Sequence, residues 1–444
     1  MSQLLVEGGA IVTVDAEDRV LDGDVAVRDG VIVGVGPDAR AALDGPREVL
    51  RADGCAVLPG FVQAHVHLVQ ALFRGMADDL PLLEWLKQRI WPLEAAHDER
   101  SLRASAELGI AELLRAGTTT VLDMGTTHGH DVVFDALSRL GLRARSGKAM
   151  MDVGDGVPAG LRESTADSLR ESERLARAWA GAGEGRLGYA YAPRFILSCT
   201  EELIRGAVAQ AAADGSLLHT HAAEHADERD AVRALHGADD VTLLARWGVT
   251  GPSAVLAHGV QLDDAELDAL ALAGTRLVHC PSANLKLGSG VARVAVARAR
   301  GVVMALGADG APCNNNLDPW VEMRHAALLA KARTGTTSLP ARDVLRMATI
   351  DGARALGLDQ LTGSLELGKR ADLQVVRLDD LHVAPAVDAS STLVYACQAR
   401  DVRHVVVDGE VRVRGGELVG LDAARVAATA RDEARRVGLR AGVL

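Results

Sequence analysis

Residues 101–124, SLRASAELGIAELLRAGTTTVLDM, contain the unit that decides the fold. The first part has the spacing of an amphipathic helix and ends at Gly117, and the second part is a short apolar run typical of a buried strand. The same alternation recurs along the chain, with the apolar runs LGYAYAP (187–193), SLLHTHAAE (216–224), SAVLAHG (253–259), RLVHCP (276–281) and VVMALGADG (302–310). Repeated units of this kind form parallel sheets with right-handed crossovers, and about 300 residues of them predict a (β/α)8 barrel.

Both flanks of this region have the pattern of short strands instead. The runs LLVEGGAIVTVD, DVAVRDGVIVGVG and CAVLPG near the start predict small antiparallel strands, with a hairpin turn at Asp29-Gly30. Strand-like sequence returns after about residue 362 in ADLQVVRL and VRHVVVDGEVRVRGG. We therefore predict an α/β protein of three parts: a β-sandwich from residues 1–58 and 362–420, a barrel at 59–361 and a C-terminal helix at 421–444.

Composition and charge exclude several classes of function. The 444 residues carry a formal net charge of -12 and only 3% aromatic side chains, which disfavours a nucleic-acid partner. The chain has no run of about 18 apolar residues, so we expect no membrane association. Its first residues lack the basic segment of a signal peptide, and its five cysteines are far apart, without a C-x-x-C pair. We therefore expect a reduced, cytoplasmic protein.

Histidine pairs lie close to the ends of predicted strands. His65 and His67 follow an apolar run and are two residues apart, so that in a strand both side chains point to the same side. Such a pair can hold one metal ion, or it can be two polar residues at a strand end. A second pair, His128 and His130, lies in a Gly/Thr-rich stretch that we interpret as a loop, which could border a site.

Further polar residues end other predicted strands. His221 supplies a third imidazole, and Glu224, three residues later, is a carboxylate suited to proton transfer. His258, His279 and Asp309 each end another apolar run. In a barrel the carboxyl ends of the strands meet at one mouth, which is where active sites of this fold lie. The joint placement of these residues therefore predicts a single site at that mouth.

Six motifs of the chain resemble those of the amidohydrolase superfamily, over nearly the whole length. They are PGFVQAHVH, HTHAAE, AHG, HCPSANLKLGSG, LGADGAPCNNNLD and GKRADL. Within the superfamily the chain is similar to the aminohydrolases of aromatic rings: the S-adenosylhomocysteine/methylthioadenosine/5′-deoxyadenosine deaminases, the guanine deaminases and the triazine hydrolases. The resemblance implies an enzyme that hydrolyses a cyclic amidine C–N bond and releases ammonia.

The resemblance also implies a metal centre and its chemistry. It implies one divalent ion per chain, usually zinc, with iron or manganese as alternatives, and the ligands His65, His67, His221 and Asp309. Glu224 would move protons, His258 would polarise the attacking water or the developing intermediate, and Asp309 or His258 would take the proton of the water. Binuclear relatives carry a carboxylated lysine after the fourth strand, and the corresponding run YAYAPRFILSC has no lysine, which favours one ion.

The substrate side of the resemblance is divided between two subgroups. The stretch LFRGMADDLPLLEWLKQRIWPLE (72–94) is closest to the adenosine-type deaminases, which implies that Glu94 binds the ribose hydroxyls. Arg194 stands where those relatives have His, and Lys148 stands where they have Arg. At both positions the chain is similar to the guanine deaminases. Either cation could bind ring nitrogens or a carboxylate on a 5′ substituent.

We therefore predict a deaminase of adenosine-like nucleosides with a modified 5′ position: 5′-deoxyadenosine, methylthioadenosine or S-adenosylhomocysteine. A deaminase of a free base such as guanine or 8-oxoguanine is the alternative, followed by a triazine aminohydrolase or chlorohydrolase of the atrazine type. A non-catalytic member of the fold is the hypothesis of a different class, and the filled metal and proton-transfer positions argue against it. Relatives are often dimers or larger, which implies a homo-oligomer that acts on a small molecule.

Overall fold

Eight parallel strands form the centre of the molecule. The computed structural model describes residues 2–444. In chain order the barrel strands are Phe61–His67, Thr118–Met124, Arg143–Gly147 with Ala149–Met150, Leu187–Pro193, Leu217–Ala222, Ala254–His258, Arg276–His279 and Met304–Leu306 with Asp309–Gly310. Each strand pairs in parallel with its neighbours in the chain order. The prediction of an α/β barrel is confirmed.

The last strand closes the barrel against the first. Asp309 pairs with Val66 and Gly310 with His67, both in parallel. The approach is closest at Gly307, where a Cβ atom would lie 2.7 Å from the carbonyl oxygen of His65 and 2.9 Å from its Cβ. Only glycine fits there without displacing the backbone of His65. This close contact brings Asp309 next to the two histidines at the end of the first strand.

Helices separate the strands and cover the outside of the barrel. In chain order these helices are Leu82–Trp85, Trp91–Ala95, Glu99–Arg115, Asp131–Leu140, Thr165–Trp179, Glu201–Asp214, Ala226–His236, Asp240–Arg246, Asp264–Ala273, Pro281–Lys286, Val294–Ala299, Ala311–Asn314, Pro319–Thr334, Ala341–Met347 and Ile350–Ala355. A π-helical turn, Leu86–Ile90, joins the first two helices. Short 3-10 turns lie at Ala39–Ala42, Leu68–Phe73, Ile196–Ser198 and Ala399–Asp401.

Two further sheets are built from the ends of the chain. One has the order Val31–Gly36, Asp24–Arg28, Gln3–Glu7, Glu48–Arg51, and the other Glu417–Leu418, Glu410–Arg414, Val402–Val407, Leu373–Arg377, Cys55–Pro59, Ala10–Val12, Val20–Asp22. Leu373–Arg377 pairs antiparallel with Cys55–Pro59, so both ends of the chain contribute to one sheet. Buried aliphatic side chains of the two sheets, among them Val27 and Val375, form a common core.

The N-terminal strands differ in two respects from the sequence-based expectation. The strand-like run at residues 4–15 is divided between the two sheets, because Gly8 (φ +80°) and Gly9 (φ +100°) turn the chain from one sheet into the other. Two pairings are parallel where we expected only antiparallel ones: Gln3–Glu7 with Glu48–Arg51, and Ala10–Val12 with Cys55–Pro59. The hairpin turn at Asp29-Gly30 is present, and both residues have a positive φ, as a type I′ turn requires.

The C-terminal helix Ala423–Arg440 lies against the barrel helix Glu99–Arg115. Arg100 Nε lies 2.7 Å from Oε1 of the buried Glu433, and Arg440 pairs with Asp98, which begins the barrel helix. Within residues 2–444, no helix combines the length and the apolar character that crossing a membrane requires.

Candidate active site

The histidines and the aspartate that the sequence selects meet at the carboxyl ends of the first, fifth, sixth and eighth barrel strands. Nε2 of His65 lies 3.2 Å and Nε2 of His67 3.3 Å from Oδ1 of Asp309. Nε2 of His67 and Nε2 of His221 are 3.2 Å apart. Nitrogen and oxygen atoms of His65, His221, His258 and Asp309 all lie within 4.8 Å of one another. Residues 244 positions apart in the chain thus form one compact cluster.

Hydrogen bonds behind the cluster set which ring nitrogen of each histidine faces it. Nδ1 of His67 donates to the carbonyl oxygen of Met124 at 2.8 Å, and Nδ1 of His221 donates to that of Arg194 at 2.7 Å. A proton on Nδ1 leaves the lone pair of Nε2 free to bind an ion. Carbonyl partners of this kind are typical of metal-binding histidines.

His65 is oriented through a second histidine. Nδ1 of His219 donates to the carbonyl oxygen of Val255 at 3.1 Å, so Nε2 of His219 accepts from Nδ1 of His65 at 2.7 Å. The lone pair of His65 Nε2 then faces the cluster. Sequence reasoning assigned His219 no role, although its spacing of two residues from His221 was a signal that could have indicated one.

The donor set fits a divalent metal ion. Nε2 of His65 is buried and has no hydrogen-bond partner among the described residues, which leaves a costly unsatisfied atom unless an ion occupies the cluster. Burial lowers the pKa of His65 and His221, so both imidazoles are neutral, as ligation requires. Burial raises the pKa of Asp309, but contacts with His65 and His67 outweigh this and hold it well below the usual value. Three imidazoles and one carboxylate suit zinc and other divalent transition-metal ions such as iron and manganese.

His258 carries its ring proton on Nε2, whereas His65, His67 and His221 carry theirs on Nδ1. Nδ2 of Asn284 donates to Nδ1 of His258 at 2.9 Å, which places the proton of the neutral His258 ring on Nε2. Burial lowers the pKa of His258 to about 3, so the ring is uncharged. Its Nε2 lies 3.4 Å from Oε2 of Glu224. His258 is therefore a hydrogen-bond donor beside the cluster, and Asn284 is a positioning residue that the sequence analysis did not identify.

Glu224 is a buried carboxyl group next to the cluster. Burial, together with the charges of Asp309 and Glu228, raises its pKa well above the ordinary value. Its Oε1 is buried and unpartnered in the described part of the chain, while its backbone N–H donates to Oε2 of Glu228 at 2.9 Å. A carboxyl group that holds a proton at neutral pH can protonate a bound molecule.

Three residues at the strand ends have left-handed backbone conformations. Ala223, His258 and Asp309 have φ values of +51°, +78° and +64°. None of them is glycine, so each conformation costs energy that the surrounding structure must offset. Such strained positions are common where side chains must be aimed into an active site.

A cavity of about 390 Å³ opens beside the cluster. Its polar wall includes His67, His221, Glu224 and Asp309, and its remaining lining residues are Gln70, Leu82, Trp85, Leu86, Arg194, Phe195, Leu287 and Cys313. Half of the lining residues are apolar and half are polar, and a concave site that combines apolar walls with converging polar groups is typical of small-molecule binding.

Two of the three predicted substrate-binding residues bind each other. Arg194 donates from Nη1 to Oε2 of Glu94 at 2.6 Å and from Nη2 to Oε1 at 3.2 Å. Gln70 Nε2 also donates to Oε1 of Glu94, at 2.8 Å, and is a further site residue that the sequence analysis missed. Gln70 and Arg194 line the cavity, whereas Glu94, their common partner, borders a second cavity, which His97 and Thr126 also line.

The third residue, Lys148, is not brought to this cavity. Its ammonium group is fully buried, pairs with Glu163 and donates to Oγ of Ser168 at 3.2 Å. The pair His128 and His130 also lies away from the cluster. His128 is exposed near Glu163, and His130 Nε2 bonds to Oγ of Ser146 at 2.8 Å.

The fold and the site agree with what comparisons with known proteins find. The sequence pattern of the amidohydrolase family matches residues 56–412. A 5-methylthioadenosine/S-adenosylhomocysteine deaminase of Halobacterium salinarum is 41% identical and covers 99% of both chains. A 5′-deoxyadenosine deaminase of Methanosarcina acetivorans is 36% identical over 99% of this chain and 100% of its own. The crystal structure of an adenosine deaminase from Xanthomonas campestris with bound zinc superposes with a TM-score of 0.93, at 34% identity and 99% coverage of both chains.

Proposed function

The chain belongs to the amidohydrolase family, and we propose that it deaminates adenosine-type nucleosides with a modified 5′ position. The products are ammonia and the corresponding inosine analogue. The observation that carries the proposal is the arrangement of His65, His67, His221 and Asp309 around one point, with a protonated Glu224 and the Nε2–H of His258 beside it. The full-length similarity to deaminases of methylthioadenosine and 5′-deoxyadenosine supports the nucleoside class.

We propose that His65, His67, His221 and Asp309 hold one zinc ion per chain. The free Nε2 lone pairs of the three histidines and the ionised Asp309 support this ligand set, whereas the proton on Nε2 of His258 argues against that ring as a ligand. A divalent ion at this position supplies Lewis-acid activation of water near neutral pH.

The neighbouring side chains account for the proton transfers. Glu224 donates its proton to the ring nitrogen beside the carbon that carries the amino group, which makes that carbon more electrophilic. Asp309 takes a proton from the attacking water, and the Nε2–H of His258 stabilises the oxygen as it adds to the ring. Asp309 then returns the proton to the amino group, which leaves as ammonia. As the carbonyl group forms, the remaining hydroxyl proton passes to Glu224, which restores its protonated state, so that one water is consumed for each ammonia released.

A substrate panel tests the proposal. Ammonia release is measured with 5′-deoxyadenosine, methylthioadenosine, S-adenosylhomocysteine, guanine, 8-oxoguanine and a triazine such as atrazine. We expect turnover of the modified adenosines and none of the free bases. Turnover of guanine without that of any nucleoside would contradict the proposal and favour the free-base alternative.

A variant separates the same alternatives within one enzyme. Glu94→Ala removes the carboxylate that we assign to the ribose hydroxyls. It should raise KM strongly for a nucleoside and change it little for a free base, because a free base has no ribose.

A further inference from the structure

Arg194 is held at both of its ends. Its carbonyl oxygen accepts from Nδ1 of His221 at 2.7 Å and from Oγ1 of Thr220 at 3.1 Å. Its guanidinium group forms the two-bond pair with Glu94, and the side chains of Arg194 and Glu94 are only 4% and 2% exposed. Neither end is free to move without breaking buried hydrogen bonds.

The guanidinium group could serve a bound nucleoside in two ways: by direct contact with the ring or 5′ substituent, or through Glu94. We propose that Arg194 is a positioning residue that acts through Glu94, by holding this carboxylate oriented for the 2′,3′-diol of the ribose. The inference rests on the proposed function, because it assumes a nucleoside substrate.

The balance of charge favours the second way. Arg194 lines the cavity, but if it gave up this pair for a substrate, Glu94 would keep only the neutral Gln70 as a partner in a buried position. Leaving a buried charge uncompensated is strongly unfavourable, more so than giving up one direct contact with a ligand. The two-bond geometry is also specific to Arg, since Lys offers a single point charge.

The carboxylate still has room for a hydroxyl group. Its two oxygens offer about four acceptor sites. Oε1 accepts from Arg194 and Gln70, whereas Oε2 accepts only from Nη1 of Arg194. Arg194 and Gln70 thus fix the position of Glu94 while one acceptor site of Oε2 stays open.

The experiment compares two substrates that differ only in the diol: 5′-deoxyadenosine and 2′,3′,5′-trideoxyadenosine. The readout is the ratio of their kcat/KM values, together with the separate KM and kcat, for the zinc-loaded wild type and the variants Arg194→Met, Arg194→Lys and Glu94→Gln, and for the Glu94→Gln/Arg194→Met double variant. A general loss of folding or of zinc lowers both substrates by the same factor, so the ratio reports only on recognition of the diol.

We expect a wild-type ratio of about 100 or more, because a site built to bind hydroxyls rejects an analogue that lacks them. Arg194→Met should reduce the ratio to that of Glu94→Gln, mainly through KM, and Arg194→Lys should give an intermediate value. The double variant should match Glu94→Gln alone, because residues that act as a unit are not additive.

A ratio that stays at the wild-type value in Arg194→Met would overturn the inference, since Arg194 would then contact a part that both substrates share. If that variant has no measurable turnover, an unchanged ratio in Arg194→Lys has the same meaning. A wild-type ratio near one would also overturn it. Absence of wild-type turnover with 5′-deoxyadenosine and the other nucleosides would instead contradict the proposed function.

Discussion

The two sides of the cavity differ in how their buried polar atoms are hydrogen-bonded. On the metal-centre side, formed by His65, His67, His221 and Asp309, Nε2 of His65 is buried without a hydrogen-bond partner in the described chain. On the ion-pair side, formed by Gln70, Glu94 and Arg194, both carboxylate oxygens have partners at 2.6–3.2 Å. Free lone pairs that converge indicate a place for an ion, whereas paired charges indicate a part of the wall that is already fixed.

The contrast extends to charge. Burial keeps His65 and His221 of the metal-centre side neutral, so that Asp309 is the ligand that offsets the charge of an ion there. The ion-pair side is ionised but has no net charge. The two sides therefore have different tasks: the first generates reactivity, and the second orients what is bound.

Metal removal should have the largest effect, because it acts on the side with the free lone pairs. Chelation should reduce deamination to background, and one equivalent of zinc per chain should restore it, with the content checked by elemental analysis. The control is His382→Ala. His382 lies in a second cluster with Asp380 and Asp401, where Arg377 Nη2 lies 2.5 Å from Asp380 and already supplies a cation. This variant should keep its zinc and its activity. Full activity of the metal-free enzyme would contradict the proposal that the metal-centre side holds an ion needed for the reaction.

Substitution of Glu224 tests proton transfer without removing a ligand. Glu224→Gln should lower kcat by about 10²–10⁴ at unchanged zinc content, because an amide cannot deliver the proton. Glu228→Gln is the matched control: within residues 2–444 the Glu228 side chain hydrogen-bonds only to the backbone N–H groups of Glu224 and His225, and an amide oxygen can still accept from both. Burial, the main cause of the raised pKa of Glu224, is unchanged in this variant. It should cost less than tenfold. Equal losses for both variants would indicate that Glu224 has a structural role only.

Glu322 is a buried carboxyl group that, unlike Glu94, has no cation as a partner among residues 2–444. Glu322 is fully buried, accepts from the backbone N–H of Ser282 at 3.1 Å and forms no ion pair within residues 2–444. Burial raises its pKa to about 8. The folded state therefore holds a proton that the unfolded chain loses above about pH 4.5, so this group makes the protein less stable as the pH rises towards 8.

Glu322→Gln should remove this dependence. Between pH 5.5 and 8 the wild type should lose about 3 kcal/mol more of its unfolding free energy than the variant, an order-of-magnitude value from the size of the shift. Urea unfolding at the two pH values measures the difference. Parallel pH profiles of wild type and variant would mean that Glu322 is ionised in the folded protein.

The choice of 5′ substituent should give the smallest effect. Both cations that the sequence offers for a substituent carboxylate are engaged by internal carboxylates: Arg194 by Glu94 and Lys148 by Glu163. The rest of the cavity wall is mostly apolar. We expect kcat/KM for methylthioadenosine to exceed that for S-adenosylhomocysteine about tenfold, since an unpaired charge is poorly solvated there. A preference for S-adenosylhomocysteine would show that one of the two pairs opens on binding.

Sequence patterns predicted the barrel and the residues of the metal-centre side, because these residues follow apolar runs and the carboxyl ends of barrel strands must converge. Three supporting residues could not be predicted. Gln70, His219 and Asn284 act through hydrogen bonds to residues 24, 154 and 26 positions away. Only His219 has a local signal, its spacing of two residues from His221, and that spacing does not show which residue His219 bonds to.

The sequence by itself determined the fold class, the family and the set of polar residues at the strand ends, since periodicity and motif spacing are local properties of the chain. Only the tertiary structure decided how the charges are paired. Glu94 and Arg194 are 100 positions apart, and Lys148 lies 15 positions from Glu163, yet Arg194 of the first pair lines the cavity and neither member of the second pair does. Which cation meets which carboxylate depends on the packing of strands and loops in three dimensions, and no spacing in the sequence encodes it.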